Sequence, residues 1–276
     1  GHFHDNNRKY SDHVRRSLDW LVEQQQTDGL LQAKKRSTRH GPYMYEHGIA
    51  AFAVSEASAI PVATQRAAEP RYRDAAEKAI RYIERIQHKD GGWRYTEALS
   101  ETSDLSVTGW QVLALKNAKE AHLDVSDECI AGVDRFLNSC RIDRTGRSSY
   151  LPRTKHGSDA MAGVGMLVEQ LLLNRPNSEY VVLGGDYLAQ MVDPQSGSTK
   201  AGAGRMRQDR QFANYYMLYN CTLAMFQRGG QPWKRWNDVV RDRVIQLQDD
   251  GAACRRGSWD PVAERGGGRI CSTALA

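Results

Sequence analysis

The chain has little that would tie it to a membrane or to a nucleic acid. No apolar run approaches the ~20 residues that span a bilayer, and the longest, residues 161–173, is interrupted by Glu169 and Gln170. The net charge of +5 is mild, and the two densest basic runs, residues 34–39 and 205–210, contain no aromatic residues that could stack on bases. The sequence therefore predicts no transmembrane segment and no nucleic-acid partner.

Cysteines are few, and no two of the five form a C-x-x-C pair. Buried thiols are therefore the expectation. Cys254 and Cys271 flank one glycine-rich loop, and the sequence leaves open whether these two form a disulfide. The chain starts with Gly rather than Met, so a natural leader could have preceded it, and export to a periplasm is compatible with the sequence.

Sustained period-two alternation is also lacking, which argues against a sheet of any size. Instead, a phrase with an apolar pair, a glutamine and a glycine recurs roughly every 50 to 60 residues. Its copies begin at Trp20, Tyr82, Phe136, Tyr187 and Val244.

Each copy predicts two helices of different character. The first has one apolar face, as Ala76, Ile80 and Ile83 show in the second copy. The second helix is apolar nearly all round and rich in small residues, over residues 47–54, 108–115, 161–168 and 218–225. This alternation predicts an all-α fold of about five helical hairpins, with an inner ring of helices inside an outer ring. We expect residues 1–10 to form a disordered tail and residues 11–276 a single domain, whose last helix stops after about two turns.

Tyr82-Ile83, followed by Gln87-x-x-x-Gly91-Gly92-Trp93, is similar to the QW repeat of squalene–hopene and oxidosqualene cyclases. Nearly the whole chain resembles the prenyltransferase and squalene oxidase repeat proteins, and most of all single-toroid bacterial members without an assigned reaction. The resemblance implies an α/α toroid, in which hairpins close into a barrel around a central pocket. It also implies a structural role, in capping helices and bracing turns, for Gln25, Gln87, Trp93, Gln248 and Trp259.

The best-known chemistry of these relatives has no counterpart in the sequence. The chain has no Asp-x-Asp-Asp motif, which protonates alkenes in terpene cyclases, and the nearest string, residues 124–128, has the wrong spacing. The zinc site of protein prenyltransferases is missing too, because Cys221 has no Asp two residues before it and no histidine after it. We expect no metal and no cofactor.

The predicted pocket is formed by polar residues at the starts of the helices that are apolar nearly all round, together with aromatic residues. Helix capping is the favoured interpretation of Asp104 and Asp159, and a structural histidine with satisfied hydrogen bonds is the favoured interpretation of His47, over a base or proton relay. The predicted pocket residues are His47, Asp104, Trp110, Asp159, Asp209, Tyr215, Tyr216 and Tyr219.

Three functions are compatible with these residues. The first is a non-catalytic protein that binds an apolar ligand, a sugar or a partner through its central mouth. The second is an enzyme acting on an isoprenoid lipid, with Asp104 or Asp159 as an acid of raised pKa. The third is a polysaccharide lyase or hydrolase, for which Tyr45, His47, Asp209 and Arg210 are the candidates. The missing motifs favour the first function, and whether the chain is an enzyme stays open.

Overall fold

The structure is a computed structural model that describes residues 4, 9–33, 41–64, 69–98, 102–142, 144–193, 214–251, 254–260 and 268–276. Within these ranges the chain is mostly helical, which confirms the predicted all-α class. No helix in the described part combines the length and the apolar character needed to cross a bilayer. The helices are α1 (Ser11–Glu23), α2 (Tyr43–Thr64), α3 (Pro70–Arg85), α4 (Leu105–Glu120), α5 (Asp127–Cys140), α6 (Asp159–Leu167), α7 (Glu179–Met191), α8 (Tyr215–Arg228), α9 (Gly230–Gln246) and α10 (Gly268–Leu275).

The two kinds of helix differ in burial as the sequence pattern indicates. Helix α3 buries one face, including Ala76, Ile80 and Ile83, whereas its charged residues face outward. Helix α4 is buried over nearly its whole length, from Leu105 to Leu115 without a break. A π-helical turn, Val168–Leu172, follows α6.

The described contacts group the chain into two compact units. The first comprises Gly1–Cys140 with Leu151–Arg153 and Leu171–Leu173, and the second comprises Arg141–Tyr150, Thr154–Gln170 and Asn174–Ala276. In the first unit, His4 is buried with its ring 5.1 Å from that of Tyr72. The other residues of the predicted tail, apart from 9 and 10, lie outside the described ranges, so a disordered tail and a single domain stay predictions.

The turns after the amphipathic helices repeat one hydrogen-bond pattern. Gln87 Nε2 donates to the carbonyl of Gly91 in its own turn (2.9 Å) and to that of Cys129 in α5 (2.9 Å). One copy earlier, Gln25 Nε2 donates to its own glycine, Gly29 (3.2 Å), and to the carbonyl of Ala75 in α3 (2.8 Å). Each glutamine thus ties its own turn to the next amphipathic helix.

Glycine in these turns allows two backbones to touch. Gly91 has φ +95°, and a Cβ atom there would lie 1.9 Å from the carbonyl oxygen of Gly132 in α5. Gly146 has φ +63°, and its Cβ would lie 2.1 Å from the backbone nitrogen of Gly184 in α7. Only glycine fits both the positive φ and the close approach.

In the third copy the turn after the amphipathic helix is part of a small antiparallel sheet, which the sequence pattern did not indicate. Its strands are β1 (Arg141–Ile142), β2 (Arg147–Ser149) and β3 (Gly157–Ser158), in the order β1-β2-β3. The pair Arg141 and Ser148 corresponds in position to the isolated bridge between Gln25 and Leu31. Strands of two or three residues carry no period-two signal, so the sequence pattern could not have predicted them.

Candidate functional site

The first unit contains a cleft at the start of α2, which we call the tyrosine cleft. It has a volume of about 510 Å³ and is lined by Gly41, Pro42, Tyr45, Tyr95 and Thr96. The rings of Tyr45 and Tyr95 are 6.0 Å apart between centroids and inclined by 37°. Two aromatic faces at this separation and angle give the cleft apolar walls with polar tips.

Backbone hydrogen bonds hold the two tyrosines in place. The backbone N–H of Met44, in the first turn of α2, donates to the carbonyl of Tyr95 (3.1 Å). The hydroxyl of Tyr43 accepts the backbone N–H of Glu97 (2.8 Å). The segment after Trp93 is therefore fixed against α2, and with it the two tyrosine walls of the cleft.

A chain of polar groups lies behind Tyr45. The Ser106 hydroxyl donates to Asp104 Oδ1 (2.7 Å), so it must accept from the hydroxyl of Tyr45, with which it forms a very short hydrogen bond. Arg94 Nη1 lies 3.7 Å from Asp104 Oδ2, and its guanidinium sits 4.6 Å from the centroid of the Tyr95 ring. Arg94 thus links the buried carboxylate to the second wall of the cleft.

Asp104 has a structural role as well. It is the N-cap of α4, and its Oδ1 accepts the backbone N–H of Val107 (2.9 Å). The carboxylate is fully buried, and capping, together with Ser106 and Arg94, compensates the cost of that burial. Its carboxylate therefore reaches the tyrosine cleft through Ser106 and Tyr45, not directly.

His47 is a buried structural histidine. Its Nδ1 accepts the backbone N–H of Leu31 (3.0 Å), and its ring packs edge-on against Tyr82 (4.8 Å). Burial lowers the pKa of His47 to about 4, although the backbone carbonyl of Ala79 and the charge of Asp28 act in the opposite direction. The imidazole is therefore neutral near pH 7, and it neither lines the tyrosine cleft nor acts as a proton relay there.

Two other copies of the repeat place a threonine hydroxyl where the first copy places the His47 ring. In the second and last copies the equivalent backbone N–H, of Trp93 and of Trp259, is accepted by the hydroxyls of Thr108 and Thr273 (both 3.1 Å). His47 Nδ1 replaces that threonine hydroxyl in the first copy. The indole Nε1 atoms of Trp93 and Trp259 donate to backbone carbonyls of the preceding helix (2.9 and 2.8 Å).

The remaining predicted pocket residues either have contacts within their own unit or lie outside the described residues. In the first unit, Trp110 is buried and pairs with Phe52 (6.5 Å between centroids). In the second unit, Asp159 Oδ1 accepts from the hydroxyl of Tyr187 (2.5 Å). Burial, and then this hydrogen bond, raise the pKa of Tyr187. Asp209, together with Arg210, lies outside the described residues.

The predicted tyrosines of α8 belong to the second unit. Tyr215 is buried, and the backbone carbonyl of Tyr216 accepts a hydrogen bond from Asn220. Tyr219 lines an apolar groove of about 460 Å³ between α8, α9 and α10, together with Phe226 and Trp233. The groove has apolar walls but no buried carboxylate among its lining residues.

The three buried cysteines, Cys129, Cys140 and Cys221, are not activated as nucleophiles. All five lie in the described ranges, and none forms a disulfide. Burial raises the pKa of Cys129 and of Cys140 to about 12 and also raises that of Cys221, so all three stay protonated near pH 7. Among the described residues, no group of three or more His, Cys, Asp or Glu side chains could hold a metal ion.

Sequence reasoning missed two features. Arg94 and Tyr95 directly follow the turn Gly91-Gly92-Trp93, and this adjacency was the available signal for a site residue. The second is Glu169, which interrupts an apolar run of the sequence. It is fully buried in the π-helical turn and forms a close ion pair with Arg141. The guanidinium of Arg141 lies 4.7 Å from the centroid of the Tyr180 ring. Arg141 and Glu169 therefore contact each other and Tyr180 within the second unit.

Comparison with known proteins adds a distant likeness. No protein-family model matches the chain, and no curated protein matches it. A crystal structure of a protein from Actinoplanes is similar over 91% of this chain and 85% of its own, with a TM-score of 0.44 and 16% sequence identity. We therefore argue function from the chain's own residues.

Proposed function

We propose that the chain is a non-catalytic toroid-type repeat protein that binds a neutral saccharide in the tyrosine cleft. The observation that carries this proposal is the pairing of two tyrosine walls with a buried hydroxyl–carboxylate–guanidinium network. Sugars present apolar C–H faces and a rim of hydroxyl groups, and Tyr45 and Tyr95 match both properties. The recurrent bonds of Gln25 and Gln87 support the proposed relation to the repeat family.

The charges described beside the tyrosine cleft favour a neutral ligand. Among the described residues, Arg94 contacts the Tyr95 wall, and the buried carboxylate of Asp104 compensates its charge at 3.7 Å. An acidic sugar would have to compete with that carboxylate for the guanidinium. We therefore expect neutral oligosaccharides to bind more tightly than uronic acid oligomers.

The isoprenoid alternative has weaker support. The apolar groove of the second unit could accept a hydrocarbon chain, but Asp159, the predicted acid of that unit, does not line it. Asp104, the other predicted acid, is held by its cap and by Ser106. A prenyl alcohol is accordingly the probe that distinguishes this alternative from the saccharide proposal.

Calorimetric titration tests the proposal. Neutral hexose oligosaccharides, an oligogalacturonate and farnesol would be titrated in turn into the full chain, with chromatography of the sugars afterwards. We expect binding of a neutral oligosaccharide without its cleavage. Tyr95→Ala should weaken that binding about tenfold, or about 1.4 kcal/mol, because one stacking wall is lost.

The matched control is Phe226→Ala, which removes an aromatic ring of the second unit that is 60% exposed. It should leave saccharide binding unchanged. Binding of farnesol alone would overturn the proposal in favour of the isoprenoid alternative, and cleavage of a bound oligosaccharide would overturn its non-catalytic part. Equal loss of affinity in the Tyr95 and Phe226 variants would show that the tyrosine cleft is not the site.

A further inference from the structure

The carboxylate behind the tyrosine cleft is surrounded by hydrogen-bond donors. Asp104 Oδ1 accepts the backbone N–H of Val107 (2.9 Å) and the hydroxyl of Ser106 (2.7 Å). Arg94 Nη1 lies 3.7 Å from Oδ2 of the same carboxylate. Because a carboxylate accepts hydrogen bonds and has no proton to give, Ser106 is the donor in its pair with Asp104.

The direction of that hydrogen bond decides what Tyr45 can do. A serine hydroxyl has one proton, and Ser106 gives its proton to Asp104. In the hydrogen bond between Ser106 and Tyr45, the tyrosine hydroxyl is therefore the donor. Its single phenolic proton is used inside the protein, so in any hydrogen bond with a ligand the oxygen of Tyr45 accepts.

Burial keeps the hydrogen bonds in this order. Ser106 and Asp104 are both buried, so water cannot replace either partner at low cost. If the Ser106 proton turned toward Tyr45, the buried carboxylate would lose one of its donors, which is unfavourable. The order of donors and acceptors from Tyr45 to Asp104 is therefore a property of the folded chain.

Thr96, which also lines the tyrosine cleft, has a different hydrogen-bonding capacity. Its Oγ1 accepts the backbone N–H of Ala98 (3.3 Å), and its own proton can be donated to a ligand. The cleft thus accepts at Tyr45 and can donate at Thr96. A polyol satisfies both positions, because each hydroxyl group is a donor and an acceptor, whereas an ether or carbonyl oxygen cannot donate to Tyr45.

We propose that Tyr45 selects a saccharide that donates a free hydroxyl group to its phenolic oxygen, with Ser106 and Asp104 as positioning residues. This inference rests on the proposed saccharide binding and adds a rule of specificity to it. Sugars methylated, acylated or oxidised to a carbonyl at the contacting position keep an acceptor there but lose the proton. A site built to bind a hydroxyl group rejects such an analogue, because one of its own polar groups is left unpaired.

Methylation of the sugar hydroxyls, one at a time, tests the proposal in the full chain. The probes are the neutral hexose oligosaccharide that binds in the calorimetric titration and its mono-O-methyl derivatives. At one hydroxyl position, methylation should weaken binding about tenfold, because Tyr45 then lacks a donor. In Ser106→Ala the phenolic proton becomes available to the methyl ether, so the same derivative should bind within about twofold of the parent. The bulk of the methyl group is the same for both proteins and cancels in this comparison.

Two more variants complete the test. Tyr45→Phe keeps the ring and removes the oxygen, so it should bind the parent sugar about tenfold more weakly and no longer discriminate against the methylated one. The matched control is Ser58→Ala, which removes another buried hydroxyl of the first unit, one that donates to the carbonyl of Val54 (3.1 Å). It should keep the full tenfold discrimination. Thermal unfolding checks that each variant is folded, and Tyr45→Phe decides the matter if Ser106→Ala is not.

The outcomes separate this inference from the proposed function. Binding that depends on Tyr95 but tolerates methylation at every hydroxyl would overturn donor selection and leave saccharide binding in place. A penalty that stays the same in Ser106→Ala and Tyr45→Phe comes from the bulk of the methyl group, and it would also overturn donor selection. If no oligosaccharide binds, the proposed function fails, and this inference fails with it.

Discussion

At the scale of single residues, two side chains singled out from the sequence proved to be hydrogen-bond acceptors for backbone N–H groups. His47 accepts from Leu31, and Asp104 caps α4 through Val107. Both positions are helix starts, where unpaired backbone donors select for acceptors. A polar residue at such a position is thus explained by local structure before any chemistry is invoked.

His47 should make stability depend on pH. Its pKa falls from 6.5 to about 4 on folding, so between these values the unfolded chain binds a proton that the folded chain does not. Stability is therefore retained above pH 6.5 and falls as the pH drops toward 4, by about 3 kcal/mol in all. Denaturant unfolding at several pH values measures this loss.

The variant His47→Thr restores the hydroxyl found in other copies. It should be less stable near pH 7, because the buried ring is lost, by about 2 kcal/mol. Its stability should then change less between pH 6.5 and 4 than that of the unmodified chain. His156, which is exposed, provides the control, since His156→Gln should keep the full dependence. An unaltered slope in the His47 variant would contradict this assignment.

The turn glutamines Gln87 and Gln248 bind different numbers of backbone carbonyls, so we expect their removal to affect stability differently. Gln87→Ala removes two hydrogen bonds to backbone carbonyls and should destabilise the chain by about 2 kcal/mol. Gln248→Ala removes one bond at an exposed site and should cost clearly less, about 0.5 kcal/mol. Chemical denaturation compares the pair directly, and equal losses would contradict the view that Gln87 ties two helices together.

At the scale of elements, the repeating unit is a helix, a glycine turn and a second helix. In the first three copies the turn repeats most closely, because its glycine approaches the backbone of the next amphipathic helix. The third copy has Arg141 in place of the glutamine, yet Gly146 still meets Gly184.

A matched pair of glycine substitutions tests the role of the turn. Gly91→Ala would place Cβ 1.9 Å from the carbonyl oxygen of Gly132 and should cost about 3 kcal/mol or more, from collision and positive φ together. Gly257→Ala would place Cβ 3.8 Å from Gln248 Nε2, an ordinary contact, and should cost only the strain of positive φ, about 1 kcal/mol. Unfolding midpoints measured by circular dichroism would show the difference. Similar costs at both positions would mean that the close approach at Gly91 contributes nothing.

At the scale of the whole molecule, the sequence predicted the class of fold and the alternation of helices. Both are indicated by the spacing of apolar residues within long helical segments such as α3 and α4. The toroid and its central pocket stay predictions. The tyrosine cleft was only half predicted: Tyr45 and Asp104 were named, whereas Tyr95 and Arg94 depend on how a non-periodic segment folds back on α2.

The most direct test of the tyrosine cleft is an NMR titration of the chain with its tyrosine rings isotopically labelled. A neutral oligosaccharide should shift the ring signals of Tyr45 and Tyr95, because it packs against both rings, and leave Tyr219 of the second unit unchanged. Assignment would come from Tyr45→Phe, Tyr95→Phe and Tyr219→Phe. A saccharide that leaves the Tyr45 and Tyr95 signals in place, or that shifts only Tyr219, would contradict the proposed function.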